Sequence, residues 1–364
     1  MKVKILGAGS IGNHLSNASR RLGWDVVLCD VDPTALERTR TEIYPGRYGA
    51  FDTAISLYEA DKAPRGGFDL VIIGTPPDHH IDLAMQAIAE MPRAILIEKP
   101  VCRPDLENAQ AFFDAAQKAG ISVFVGYDHV VGAAAAATVD ALNAGTAGTL
   151  STLDVEFREY WGGIFAAHPW LDGPHDSYLG YWQRGGGASG EHSHAINLWQ
   201  HLSHAAGAGR VAAVTATLDY VSDGKVDYDR LCLLNLETEN GLVGRTVQDV
   251  VTQPPRKWAR LQGDRGYIEW HCGFQPGCDA VIVKADDADA QTERFEKTRP
   301  DDFIRELTHI EQALEAGDVP ADLSLSRGLD TMLVVAAAHL SAARRRTVRI
   351  DYSAGWTPAA LQPA

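Results

Sequence analysis

Short, unbroken apolar runs bounded by polar turns mark the first third of the chain. Lys2–Leu6, Asp25–Cys29, Asp69–Ile73, Ala94–Ile97 and Ile121–Val125 are continuous rather than alternating. That pattern predicts strands buried on both faces. Helical periodicity fills the intervals, over Ile11–Leu22, Pro33–Ile43, His80–Glu90 and Asp105–Lys118. Strand–helix alternation of this kind predicts a doubly wound, parallel α/β domain over residues 1–128.

The pattern changes near Tyr127. Residues 133–137 are all alanine and predict the start of a helix. Longer, more alternating segments follow at Thr152–Tyr160, Val211–Val221, Tyr228–Glu237, Leu242–Val251, Lys257–Gln262, Tyr267–Trp270 and Ala280–Lys284. Turn signals such as Glu239-Asn240-Gly241 join them, which predicts a mostly antiparallel sheet. A loop at 161–190, rich in Trp, His and Gly, leads into a helix expected over His194–Ala205. Two later helices are expected over Phe303–Ala316 and Ser326–Arg344, returning toward the first domain. The reading is of an α/β chain with a second α/β domain over 129–350, built on a large open sheet, and a tail over 351–364. An open sheet with a bare face needs covering, so a homodimer or homotetramer is expected.

Composition narrows the function. The chain has 364 residues, 45% hydrophobic and 22% charged, with a net charge of -15. Such acidity argues against nucleic acid as a partner. The five cysteines are scattered, which fits a reducing compartment. Cys272 and Cys278 beside His271 lack the second close pair of a zinc site, so no metal is expected. The N-terminus reads as a core strand and no run approaches the length of a membrane span, so a cytoplasmic protein is expected.

Gly7-Ala8-Gly9-Ser10-Ile11-Gly12 is a G-x-G-x-x-G motif between a predicted strand and helix. In that context it predicts a dinucleotide pyrophosphate at the helix N-terminus, in a Rossmann-type domain. Asp30 ends the second strand, where a carboxylate accepts from ribose hydroxyls and repels a 2′-phosphate. NAD is therefore favoured over NADP. Gly74-Thr75-Pro76-Pro77 follows a strand end; it reads equally as a nicotinamide-ribose contact or as an ordinary turn. Glu98-Lys99-Pro100 ends another strand and offers an ammonium group at the crevice, its direction fixed by Pro100.

Gly7–Gly12, Thr75-Pro76 followed by His79 and His80, Glu98-Lys99-Pro100, and Gly185-Gly186-Gly187 leading to His194 resemble, in order, the motifs of the Gfo/Idh/MocA family. These are the glucose-fructose oxidoreductase and inositol dehydrogenase-like enzymes. The likeness spans nearly the whole chain. It implies cofactor contacts from Gly7, Gly9, Ser10, Ile11, Gly12, Asp30, Thr75, Pro76, His80, Glu98 and Lys99. It also implies that Lys99 and His194 flank the reacting carbon. The family often has an Asp four residues before the His; Gly190 stands there, and Glu191, one position on, is the candidate third partner. Tyr127, Arg158, Trp161, Trp182 and His192 are candidate substrate contacts. The aromatic loop suits a carbohydrate and suits a subunit contact equally. The expected reaction is hydride transfer between a secondary alcohol of a sugar, polyol or glycoside and NAD. The rivals are an NAD-retaining glycoside hydrolase and a non-catalytic NAD-binding regulator.

Overall fold

The computed structural model describes residues 1–317 and 319–364. The chain divides into two compact units, one of Met1–Cys102, Asn108–Asp128 and Arg299–Ser326, the other of Arg103–Glu107, His129–Thr298 and Arg327–Ala364. This division departs from the expected 1–128 and 129–350 boundaries chiefly at 299–326, for a packing reason given below.

In the first unit the elements are β1 (Lys2–Leu6), α1 (Ser10–Arg21), β2 (Asp25–Asp30), α2 (Pro33–Arg38), β3 (Ser56–Glu59), β4 (Leu70–Ile73), α3 (His80–Ile88), β5 (Ala94–Glu98), α4 (Ala109–Ala119) and β6 (Ser122–Gly126). The six strands form one sheet in the order β3-β2-β1-β4-β5-β6, and every pair is parallel. Their side chains are sealed off from water: Ile5, Leu28, Ile72 and Leu96 are all 0% exposed. Continuous apolar runs were the signature of that environment. β3 escaped the pattern because Ser-Leu-Tyr-Glu is short and half-polar, as befits an edge strand. The helix Arg299–Ala316 belongs to this unit. Phe303 stacks on His14 of α1 at 5.0 Å between ring centroids, and Trp24 donates its Nε1–H to Glu311 at 3.1 Å.

The second unit holds α5 (Ala133–Asn143), β7 (Leu150–Arg158), α6 (Gly187–Glu191), α7 (His194–Ala205), β8 (Val211–Ser222), β9 (Asp227–Thr238), β10 (Val243–Asp249), β11 (Arg256–Gly263), β12 (Gly266–Gln275), β13 (Cys278–Ala285) and β14 (Gln291–Glu296). After α8 (Arg299–Ala316, already placed) come α9 (Leu325–Arg344), β15 (Val348–Ile350) and β16 (Leu361–Pro363). Ten strands make one sheet, β14-β13-β12-β11-β7-β10-β9-β8-β15-β16. All pairs are antiparallel except β7 with β10. The tail at 351–364 thus contributes an edge strand, with Ile350 opposite Leu361.

Alternation along β7 sorts the faces of this sheet. Leu153, Val155 and Phe157 are 0% exposed, and Trp199 of α7 donates to the Leu153 carbonyl at 2.8 Å. On the opposite face Asp154 pairs with Arg245 at 3.2 Å, and Glu156 with Arg256 at 3.4 Å.

Candidate active site

Each unit carries its own half of the candidate machinery. In the first, β1 ends and α1 begins at the glycine loop. Gly7 has φ +103°, and a Cβ there would lie 2.7 Å from the Gly74 carbonyl oxygen. A Cβ on Gly12 would lie 1.9 Å from the Gly7 oxygen, so helix and strand meet only because both are glycine. Gly9 faces open space, with nothing within 4 Å of its missing side chain. No side chain caps the start of α1. An open glycine and uncapped helix amides are what an anionic pyrophosphate requires.

Asp30 does more than the spacing implied. Its Oδ2 accepts from the Ala8 amide at 2.7 Å and its Oδ1 from the Asp32 amide at 2.9 Å. The carboxylate therefore pins the glycine loop from the end of β2. The neighbouring Val31 is 86% exposed, an apolar surface beside Asp30.

His80 was expected to touch the cofactor, and the structure gives it a different post. It is 0% exposed, with Nδ1 at 2.9 Å from the Pro100 carbonyl and Nε2 at 2.7 Å from the Thr75 carbonyl. Burial pushes its pKa down to about 4. The ring braces the Gly74–Pro77 turn against the Glu98-Lys99-Pro100 turn and presents nothing to a ligand. Lys99 is half-buried at the end of β5, and its bond to Pro100 is cis. The Lys99 amide donates to Glu98 Oε2 at 3.3 Å. Glu98 is 7% exposed, and its carboxylate lies 3.0 Å from where a Cβ on Gly126 would sit. Tyr127 is buried at the end of β6.

In the second unit His194 opens α7 and is half-buried. Its ring packs edge-on to His129 at 4.7 Å and parallel to Phe157 at 6.0 Å; Trp270 stacks beyond Phe157 at 5.9 Å. These rings flank the imidazole on more than one side.

The segment leading to His194 is built of close approaches. A Cβ on Gly186 would lie 2.1 Å from the Tyr178 oxygen, one on Gly187 2.0 Å from Asp229 Oδ1, and one on Gly190 2.0 Å from the Gly185 oxygen. The departure at Gly190 is thereby explained: no side chain fits. Glu191 follows at the end of α6, half-buried, with Tyr178 donating to its Oε2 at 3.3 Å. His192 is buried, and its carbonyl accepts from Gln248 Nε2 at 2.8 Å.

The other candidate substrate residues are engaged within the fold. Arg158 Nε lies 2.6 Å from Asp249 Oδ2, whose side chain is fully buried. Burial pushes Asp249 upward, but hydrogen bonds from Arg158, Thr252 and backbone amides outweigh it and hold the carboxyl below its ordinary value. Trp161 is buried against Tyr228 at 4.7 Å. Trp182 stacks on His339 at 4.3 Å and donates to Asp227 at 3.2 Å. Cys278 is buried and bonds to the Asp279 carbonyl, while Lys297 Nζ lies 3.9 Å from Cys272 Sγ, so neither thiol is presented as a ligand pair.

The glycine loop and the all-parallel sheet define a dinucleotide-binding fold. Residues 1–127 match the oxidoreductase family with an NAD-binding Rossmann fold, Gfo/Idh/MocA, and residues 136–269 match the C-terminal domain of the same family. The chain belongs to the Gfo/Idh/MocA family, and NAD is its cofactor. No curated protein matches it. Among solved structures it is similar to levoglucosan dehydrogenase in complex with NADH and levoglucosan (19% identity, 96% of this chain and 99% of that one, TM-score 0.78). It is also similar to an oxidoreductase from Agrobacterium radiobacter in complex with NAD+, L-tartaric acid and magnesium (21%, 96% and 98%, 0.76). Aldose-aldose oxidoreductase from Caulobacter crescentus, complexed with glycerol, is a third (19%, 96% and 99%, 0.74). At these identities the likeness establishes the fold.

Proposed function

We propose that this protein oxidises a secondary alcohol of a sugar, polyol or related glycoside, or runs the reverse reduction, with Lys99 and His194 as its catalytic residues. The observation that carries the reading is the built surround of each: Lys99 anchored between the buried Glu98 and the His80-braced turn, and His194 held among His129, Phe157 and Trp270. Similar structures, among them levoglucosan and glycerol complexes, support the substrate class.

Glycine-loop amides and the α1 N-terminus would hold the pyrophosphate, Asp30 the adenosine ribose, and the exposed Val31 side chain one face of the adenine. Bound NAD supplies a hydride acceptor at the nicotinamide. As the carbon gives up its hydride, the hydroxyl proton must leave. His194 accepts it, since imidazole titrates near neutral pH. The Lys99 ammonium stabilises the developing alkoxide charge. The balance is alcohol plus NAD+ giving ketone, NADH and one proton. We assign Glu191, three residues before His194, as the third partner.

Lys99→Ala should lower kcat by about a thousandfold or more, as loss of an electrostatic group at the reacting oxygen does, with NAD affinity nearly unchanged. Turnover at the wild-type rate would refute the site. The five free cysteines and the described residues' lack of any helix long and apolar enough to cross a membrane support our reading of a cytoplasmic enzyme. The polar face of the ten-stranded sheet, lined by Thr152, Asp154, Thr215, Asn235, Glu237 and Arg245, is the surface we assign to a homodimer or homotetramer.

A further inference from the structure

Beneath α6 lies a continuous hydrogen-bonded chain that the proposed chemistry does not use. Asp229, on β9 and 0% exposed, accepts from the Ser189 amide at 2.7 Å through Oδ2 and from the Ser189 hydroxyl at 3.0 Å through Oδ1. The Ser189 hydroxyl lies 3.0 Å from His339 Nε2 on α9. His339 Nδ1 lies 2.6 Å from the hydroxyl of Tyr220 on β8, which is 38% exposed. Trp182 stacks over the His339 ring. The chain therefore runs from a fully buried carboxylate to the protein surface in three links.

The donors can be assigned from chemistry alone. An ionised Asp229 only accepts, so Ser189 donates to it. The Ser189 oxygen then accepts from His339 Nε2–H. The bare Nδ1 accepts from Tyr220. All the hydroxyl and imidazole protons point one way, toward the carboxylate. Gly187, whose Cβ would lie 2.0 Å from Asp229 Oδ1, shows how tightly α6 is drawn onto this group.

We propose that Asp229 is a positioning residue: through Ser189 it fixes α6, and so the Glu191–His194 segment, while His339 and Tyr220 connect it to solvent. The proposal deepens the function above and rests on its assignment of Glu191 and His194. Ser189 of α6 bonds Asp229 directly, the Asp229 charge acts on Tyr220 of β8 and Cys232 of β9, and His339 of α9 is reached through Ser189. Burial pushes the Asp229 carboxyl up to about 7, against the opposing hydrogen bonds from Ser189. Burial likewise holds His339 down to about 3, so its ring is neutral throughout. As pH rises through 7, Asp229 gives up its proton; burial, which outweighs the Ser189 hydrogen bonds, disfavours the charged form, so opening that hydrates the carboxylate becomes easier and the segment loosens.

The test is hydrogen–deuterium exchange of residues 186–197 in the full chain at about pH 6 and about pH 8, corrected for intrinsic rates. Wild type, Asp229→Asn, Ser189→Ala and Tyr220→Phe are compared. The expected result is stronger protection at the lower pH in wild type, weak and pH-independent protection in Asp229→Asn, whose amide nitrogen cannot accept from Ser189, and weakened protection in Ser189→Ala. Tyr220→Phe should shift the pH at which protection changes. In turnover, Asp229→Asn should lower kcat about tenfold with KM for NAD unchanged. Protection equal to wild type at both pH values in folded Ser189→Ala and Tyr220→Phe would overturn the proposal, even if Asp229→Asn failed to fold. Should His194→Asn keep full turnover while these exchange changes occur, the catalytic assignment fails and the positioning of the segment stands.

Discussion

Glu306 of α8 is a fully enclosed acid, 1% exposed, and its Oε1 has no hydrogen-bond partner among the described residues. Burial first, then the charges of Glu98, Asp128 and Asp302, push its pKa well above the ordinary carboxyl value. Folding therefore holds a proton that the unfolded chain releases near neutral pH. The folded state loses stability as pH rises from the ordinary carboxyl range toward the raised value. Glu306→Gln, an isostere of the protonated acid, should flatten that slope and raise the melting temperature at about pH 8 more than at about pH 5. An equal drop at both pH values in thermal denaturation would contradict it. At this scale the sequence was legible wherever a local motif carries the role. Gly7, Gly9, Gly12 and Asp30 declare themselves by spacing to a neighbouring strand. Asp229 does not, because its partner Ser189 and the next link, His339, lie 40 and 110 positions away, and a buried carboxylate reads like any other Asp in a strand.

The elements divide in the same manner. Parallel strands sealed on both faces wrote themselves as apolar runs, and β1, β2, β4, β5 and β6 fall within one residue or so of expectation. β3, β14 and β16 are edge or outer strands with polar sequences, and nothing in Gln291–Glu296 or Leu361–Pro363 distinguishes them from loop. α6 was hidden by its glycines, which are poor helix formers tolerated here for close packing. That packing makes a sharp prediction. Gly190→Ala places a methyl group 2.0 Å from the Gly185 carbonyl, and the backbone cannot yield cheaply. The expected cost is roughly 1–3 kcal/mol, as for overpacking elsewhere. It should be read as a fall in denaturant midpoint together with a loss of kcat. Wild-type stability would show that α6 is not clamped as described.

For the whole molecule, two units divide the labour. Fold class and the order of the motifs were readable from the chain, because a Rossmann unit announces itself by periodicity. Of the two late helices expected to return, only 299–326 joins the first unit and Leu325–Arg344 belongs almost wholly to the second; the return depends on the fit of Phe303 against His14 and Trp24 against Glu311, long-range contacts with no local mark. The Asp154, Glu156, Arg245 and Arg256 face of the large sheet carries its own ion pairs. If a second copy covers that face, light scattering should give a dimer or tetramer mass, and Arg245→Glu, facing Asp154 and Glu156, should shift it toward monomer. A monomer at micromolar concentration in wild type would remove that assignment.

The most direct test of the central claim is absorbance at the NADH wavelength. Purified protein would be mixed with NAD and a panel of sugars, polyols, glycosides and nucleotide sugars. The account predicts a rise with at least one member, abolished in Lys99→Ala. No rise with any of them, while NAD still binds tightly, would contradict the account of a sugar or polyol dehydrogenase.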